Sequence, residues 1–251
     1  MVENAPGPLR HAAFLRATFR RTSVEANHVR ITFVGHATFV LESPRGVKVV
    51  TDYNDYFRAP SAPDIATMNI LRPNHATSNV EPSVKYVLHG WDEGRGIPYL
   101  DVRYKDMRVY NVPVNISVMG SVSTNLSSMF MFETAGLCIA HFGHLAHVLD
   151  EKQVFRLGRV DVALVPVDRI ATESYEELRH NLGLLKPRLI IPMHFISGYF
   201  AEDFAREVEN LYKVKYHDGN TITVSHADLP TESEILILKP TRIFRFGGSD
   251  L

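Results

Sequence analysis

The stretch His141-Phe-Gly-His144-Leu-Ala-His147 places three imidazoles at i, i+3 and i+6. Before it runs Met129-Phe-Met-Phe132 through Leu137-Cys-Ile-Ala140, of strand composition; after it comes Val148-Leu-Asp-Glu-Lys-Gln-Val-Phe155, of helix composition. The histidines therefore fall on a strand-to-helix loop, the usual address for ligands carried on a rigid scaffold. Neutral imidazole is the commonest protein metal ligand. His141 and His144 are read as ligands, and His147 as a hydrogen-bonded neighbour.

Working outward, the final third alternates helix and strand. A helix over 151–157 leads to a strand at 160–165, a helix over 173–186 to a strand at 188–191, and a helix over 201–212 follows. In the last helix Phe204, Val208 and Leu211 recur at helical spacing and predict a buried face. Segments 221–225 and 234–238 close the pattern as strands. The first third reads as a β-meander of 29–34, 38–42 and 47–51, separated by the turns Gly35-His36-Ala37 and Ser43-Pro-Arg-Gly46. Asp52 follows the third strand, at a strand end where a carboxylate can face a site. Residues 65–70, 100–104 and 107–112 are further strands, and Pro113 to Ser128 is expected to be a long loop of the functional kind. His89-Gly-Trp-Asp-Glu-Gly94 reads as a surface loop. Mixed strands with a helix after each late one predict a layered α/β architecture. Such sheets bind ligands at strand ends, where His194 also falls, after Ile190-Ile-Pro-Met193.

Composition narrows the function classes. The chain has 251 residues, 45% hydrophobic and 22% charged, with a net charge of −1, which removes the electrostatic case for nucleic acid or an anionic membrane. The single cysteine, Cys138, excludes an internal disulfide and suits a reducing compartment. No run approaches the ~18 apolar residues of a membrane span, and no signal-like stretch opens the chain. A cytoplasmic protein is expected, with 1–251 as one domain and residues 1–28 as an N-terminal arm.

Several pieces together resemble the metallo-β-lactamase superfamily, in the branch of Zn-dependent hydrolases that includes L-ascorbate-6-phosphate lactonase. They are Ile31-Thr-Phe-Val-Gly-His-Ala-Thr-Phe39, Val49-Val-Thr-Asp52, Asn125 before Met129-Phe-Met-Phe-Glu-Thr134, His141 to His147, Leu157-Gly-Arg-Val-Asp-Val-Ala-Leu-Val-Pro-Val167 and Leu185-Lys-Pro-Arg-Leu-Ile-Ile-Pro-Met-His194. The resemblance implies a four-layered αβ/βα sandwich with its site along one edge.

The departures from that family concern the metal motif. Where it carries His-x-His-x-Asp-His, this chain has Ile70, Arg72, Asn74 and His75; only the last ligand is kept. Where the family has the aspartate that bridges two metals, the chain has His144, while His141 and His194 are retained. A two-metal site is therefore not expected. The resemblance implies one ion on His75, His144 and His194, with His141 as a possible fourth ligand. Three imidazoles and a water form a catalytic zinc arrangement; zinc is the expected metal, with iron, manganese, nickel or copper also compatible with imidazole. Asp52 and Asn74 would orient ligands or water, Arg72 would hold an anionic substrate group, and His36 and His147 would support the ligands from behind. Asp168, standing where the family more often has glycine, is assigned outside the site. The expected activity is hydrolysis of an ester, lactone or phosphoester of a small molecule, anionic or neutral, by a chain able to self-associate. The alternative is a catalytically inactive member that binds a ligand or protein.

Overall fold

The computed structural model describes residues 23–94, 98–118, 121–169, 171–195 and 198–241. Most of the N-terminal arm expected over 1–28 lies outside the described residues. The meander forms as the alternation predicts. In β1 (His28–Gly35) Val29, Ile31 and Phe33 turn inward, and β2 (Thr38–Glu42) and β3 (Lys48–Val50) follow antiparallel. Then β4 (Ile65–Met68) and β5 (Tyr86–His89) add in parallel. Next come β6 (Asp101–Tyr104), β7 (Met107–Val118), β8 (Ser121–Thr134) and β9 (Leu137–His141). Helix α1 (Glu151–Leu157), β10 (Val162–Pro166), α2 (Tyr175–Leu185), β11 (Leu189–Met193) and α3 (Gly198–Val208) alternate after them, followed by β12 (Lys213–Tyr216), β13 (Thr221–Ser225) and β14 (Glu234–Ile237).

Two sheets result, in the orders β13-β1-β2-β3-β4-β5 and β12-β14-β11-β10-β9-β8-β7-β6. One apolar core joins their inner faces, and the Phe33–Phe39 cross-strand pair stacks within it at 4.6 Å. Burial of each such ring is worth ~1.5–3 kcal/mol. Helices α2 and α3 join the same core through Leu178, Leu182, Phe204 and Val208. The other face of the first sheet is covered by loop residues: Tyr53, Ala76 and Trp91 pack on Val50, Ala66 and Met68. Trp91 is thus buried, while Asp92, Glu93 and Gly94 of the same loop lie on the surface as expected.

Local signals explain the helix starts. Asp150 with Gln153, and Ser174 with Glu177, make reciprocal capping boxes at α1 and α2. The expected loop over 113–128 is instead paired strand, with Pro113 opposite Ser128. Proline is tolerated because β6 pairs only with Met107 to Tyr110, so β7 has no ladder partner on that side at Pro113. The apolar run 129–140 is two strands, folded back at Ala135 and Gly136, both at positive φ. Helix α3 begins three residues earlier than predicted and ends at Val208, leaving Leu211 58% exposed. The strands β5 and β12 escape the sequence pattern because each is a four-residue sheet edge without clear apolar alternation. None of the described helices is long and apolar enough to cross a membrane.

A test of this packing is Gly143, at φ 62°, where a Cβ would fall inside the Asn69 amide and 2.9 Å from Ser128 O. Gly143→Ala should destabilise by about 2–4 kcal/mol in urea unfolding, combining overpacking with left-handed strain. Gly136→Ala, at φ 76° with nothing within 4 Å of its Cβ, should lose only about 1 kcal/mol.

Candidate metal centre

Ends of both sheets meet at one place. From the first sheet come His36, in the turn between β1 and β2, Asp52 after β3, and the turn 69–76 after β4. From the second come His144 after β9, Asp168 after β10 and His194 after β11, all at C-terminal ends of parallel strands. The two edges are stitched by backbone: His194 N–H donates to His36 O at 2.6 Å. His36, Asp52 and His194 hold φ of 52°, 44° and 61°, a left-handed region costly for non-glycine residues and met at functional sites.

Four imidazoles gather there, all buried. Ring centroids lie 4.2 Å apart for His36–His194, 4.9 Å for His36–His75 and His144–His194, and 5.1 Å for His75–His194 and His75–His144. One ligand nitrogen from each of His36, His75 and His194 falls within 4.8 Å of the others. His75 Nδ1–H donates to Asp52 Oδ2 at 2.7 Å, and His194 Nδ1 lies 3.0 Å from Asp168 Oδ2. The bond to Asp52 leaves His75 Nε2 its lone pair; His194 Nδ1, near Asp168 but without hydrogen-bond geometry, leaves that ring two tautomers. The two Nε2 atoms lie 3.2 Å apart, a hydrogen bond when His194 Nε2 carries the proton and a pair of facing lone pairs when it does not. Two lone pairs at that separation repel unless an electron-pair acceptor lies between them. His36 Nε2 lies 3.3 Å from the Asn74 side-chain amide, and His36 Nδ1 is buried without a hydrogen-bond partner among the described residues; with the proton on Nε2 and the amide oxygen accepting it, Nδ1 keeps a lone pair for an ion. This donor set, neutral imidazoles backed by carboxylates, suits one borderline-soft divalent cation.

Electrostatics keep three of the four imidazoles neutral. Burial, reinforced by the neighbouring histidines, holds His36, His75 and His144 well below the ordinary imidazole value. Burial pushes the Asp52 carboxyl up to about 7, against the pull of His141 and of the Asn69 N–H. Burial acts to raise Asp168 as well, but the His194 imidazole and the Thr172 hydroxyl carry it below its usual value.

The remaining sequence candidates are placed differently. His141 spends both nitrogens on the backbone: Nε2–H donates to Ala37 O at 2.8 Å, and Nδ1 accepts from Gly143 N–H at 3.2 Å. It has no lone pair to offer an ion and serves instead to join β9 to the first sheet. His144 is in the cluster, but its Nε2 accepts from Arg72 at 3.1 Å. Ile70 is buried beside Ser127. His147 lies away from the cluster, accepting from Asn115 N–H and donating to Val148 O. Sequence reading put His36 behind the ligands and Asp168 outside the site. The only signals for them were strand-end position and, for His36, a Gly-His-Ala turn.

Comparison with known proteins identifies the family and the fold. The beta-lactamase superfamily domain family matches residues 30–194. A UPF0173 metal-dependent hydrolase of Pyrococcus furiosus is 24% identical over 191 residues, covering 66% of this chain and 84% of that protein. One from Archaeoglobus fulgidus is 24% identical over 243 residues, covering 87% and 99%. Among solved structures, a Thermotoga maritima protein named as a candidate Zn-dependent hydrolase of the metallo-beta-lactamase superfamily aligns with TM-score 0.61 and 26% identity, over 84% of this chain and 98% of its own. Igni18, a metallo hydrolase from Ignicoccus hospitalis, aligns with TM-score 0.59 and 19% identity, over 79% and 99%.

Two measurements test the arrangement. Elemental analysis should find about one metal ion per chain, lost in His75→Ala and His194→Ala but kept in folded His141→Ala. In metal-free protein, His36, His75, His141 and His144 have lowered folded values. Their stabilisation is present above the ordinary value of 6.5 and is lost as pH falls below it, because only the unfolded imidazoles take protons there. Asp52, raised from 3.8 to about 7, opposes this as a single group. The urea midpoint should therefore fall between pH 7.5 and 5.5.

Proposed function

The chain belongs to the beta-lactamase superfamily, and on that premise we propose that it is a metal-dependent hydrolase with a single metal ion on His36, His75 and His194. The observation that carries this reading is the buried cluster in which one nitrogen from each of His36, His75 and His194 lies within 4.8 Å of the others, with Asp52 bonded to His75 Nδ1 and Asp168 beside His194 Nδ1. Similarity to proteins named as metal-dependent hydrolases supports it. Zinc is the first choice for a neutral three-imidazole set. When bound, it would lower the pKa of a water to ~7 and polarise the bond to be broken.

The chain's own residues supply the rest. Asp52 fixes the tautomer and aim of His75, Asp168 stands beside His194, and both carboxylates raise the basicity of these rings as ligands. Asn74 orients His36 by accepting from its Nε2–H through the amide oxygen, which leaves Nδ1 as the ligand atom. Arg72 brings positive charge to the place where the family's motif carries a ligand histidine. It has no ion-pair partner among the described residues, and its one described side-chain hydrogen bond is to His144 Nε2. His144 thus holds the guanidinium against the cluster, and Arg72 is the residue to bind an anionic group of a substrate. The reaction is hydrolysis of an ester, lactone or phosphoester, the attacking oxygen coming from water and the leaving oxygen departing as an alcohol.

Zinc-loaded protein should hydrolyse members of a panel of carboxylic and phosphoric esters, with loss of activity in chelator and recovery on adding zinc. Asp168→Asn should weaken metal affinity about 10–100-fold in competition with a chromophoric chelator. An affinity unchanged within twofold would remove Asp168 from the assignment.

A further inference from the structure

A cavity of about 780 Å³ opens beside the cluster and shares Arg72 with it. Its wall runs over Met68, Leu71 and Ala76 on one side and His89 and Trp91 on the other. Leu71 is 71% exposed, an apolar side chain held out at the mouth of a cavity. Trp91 and His89 stack with ring centroids 4.6 Å apart and make a flat surface. That surface is fixed in place. Gly90, between the two rings, leaves no room for a Cβ, which would meet Asn69 O and Ser128 Cβ at 2.9 Å, and Ser128 Oγ donates to Gly90 O at 2.6 Å.

The charges around the cavity are unequal. Arg72 is a guanidinium with no carboxylate partner among the described residues, while the lining also carries Asp92 and Glu93. Glu93 is matched by His89. A ligand with one anionic group can set it on Arg72 and lay an apolar body along Leu71 and the Trp91 face. A polyanion would meet the rim carboxylates. The volume falls within the roughly 300–1,000 Å³ of small-molecule sites, which are mostly apolar with a few placed polar groups.

We propose that this cavity is the binding site for a monoanion with an apolar acyl or aryl body, its charged end on Arg72 and its body on Leu71 and Trp91. The hydrolase reading above is needed only to make that molecule a substrate or an acid product; the binding site itself does not depend on it. Within that reading, the substrate class narrows from small esters in general to those whose apolar acid portion ends near Arg72.

The chain contains one tryptophan, so its fluorescence reports this cavity directly. Titration with octanoate should change Trp91 emission saturably. Octan-1-ol, lacking the charge, and inorganic phosphate, lacking the body, should each bind at least tenfold more weakly. Arg72→Gln and Leu71→Asp, both at exposed or half-exposed positions, should each weaken octanoate about tenfold with unchanged circular dichroism. Equal binding of octan-1-ol, equal competition by phosphate, or variants that bind octanoate as the parent does would overturn the proposal. The titration is run on chelator-treated and on zinc-loaded protein. Octanoate binding without any metal uptake would defeat the hydrolase reading and leave the site standing. Metal uptake and ester hydrolysis without octanoate binding would do the reverse.

Discussion

Two imidazole nitrogens that face each other across 3.2 Å, with no room to turn away, set the terms for the rest of this molecule. Behind His75 stands the buried Asp52 carboxyl and beside His194 the partly exposed Asp168, each at a sheet end. Burial and the neighbouring histidines hold His75 in its neutral form. The arrangement is consistent with an interior that leaves its electron pairs for a cation. The buried Nδ1 of His36, without a partner among the described residues, belongs to the same arrangement.

Holding those groups in place requires the two sheets to be locked at their ends. The short His194–His36 backbone bond and the His141–Ala37 bond tie the second sheet to the first on either side of the cluster. Left-handed φ at His36, Asp52 and His194 is the local cost, of order 1–3 kcal/mol per residue, offset by a core continuous between the sheets. His141 illustrates how a family position can keep its residue and change its task. With Ile70 and Arg72 in place of ligand histidines, the retained imidazole has turned to the backbone.

Charge is divided across the site. His144 adds a neutral imidazole to the cluster, and Asp168 stands as a carboxylate beside His194. Arg72 contributes the cation on the open side. Its guanidinium, held by His144, lies at the boundary between the histidines and an apolar cavity, and so links the proposed chemistry to a proposed ligand.

The sequence alone determined the α/β class, the meander, the late alternation of helix and strand and the placing of histidines at strand ends, because those rest on periodicity and turn residues close together in the chain. Only the tertiary structure decided which imidazoles face one another. His36 and His194 are 158 positions apart, yet adjoin through a sheet-to-sheet contact that no local pattern encodes, and Asp168 reaches His194 only because β10 and β11 pair in parallel register. The strand pairing over 113–128 was hidden for a related reason: a proline in a strand is tolerated where the ladder is open, and that opening depends on where a neighbouring strand stops.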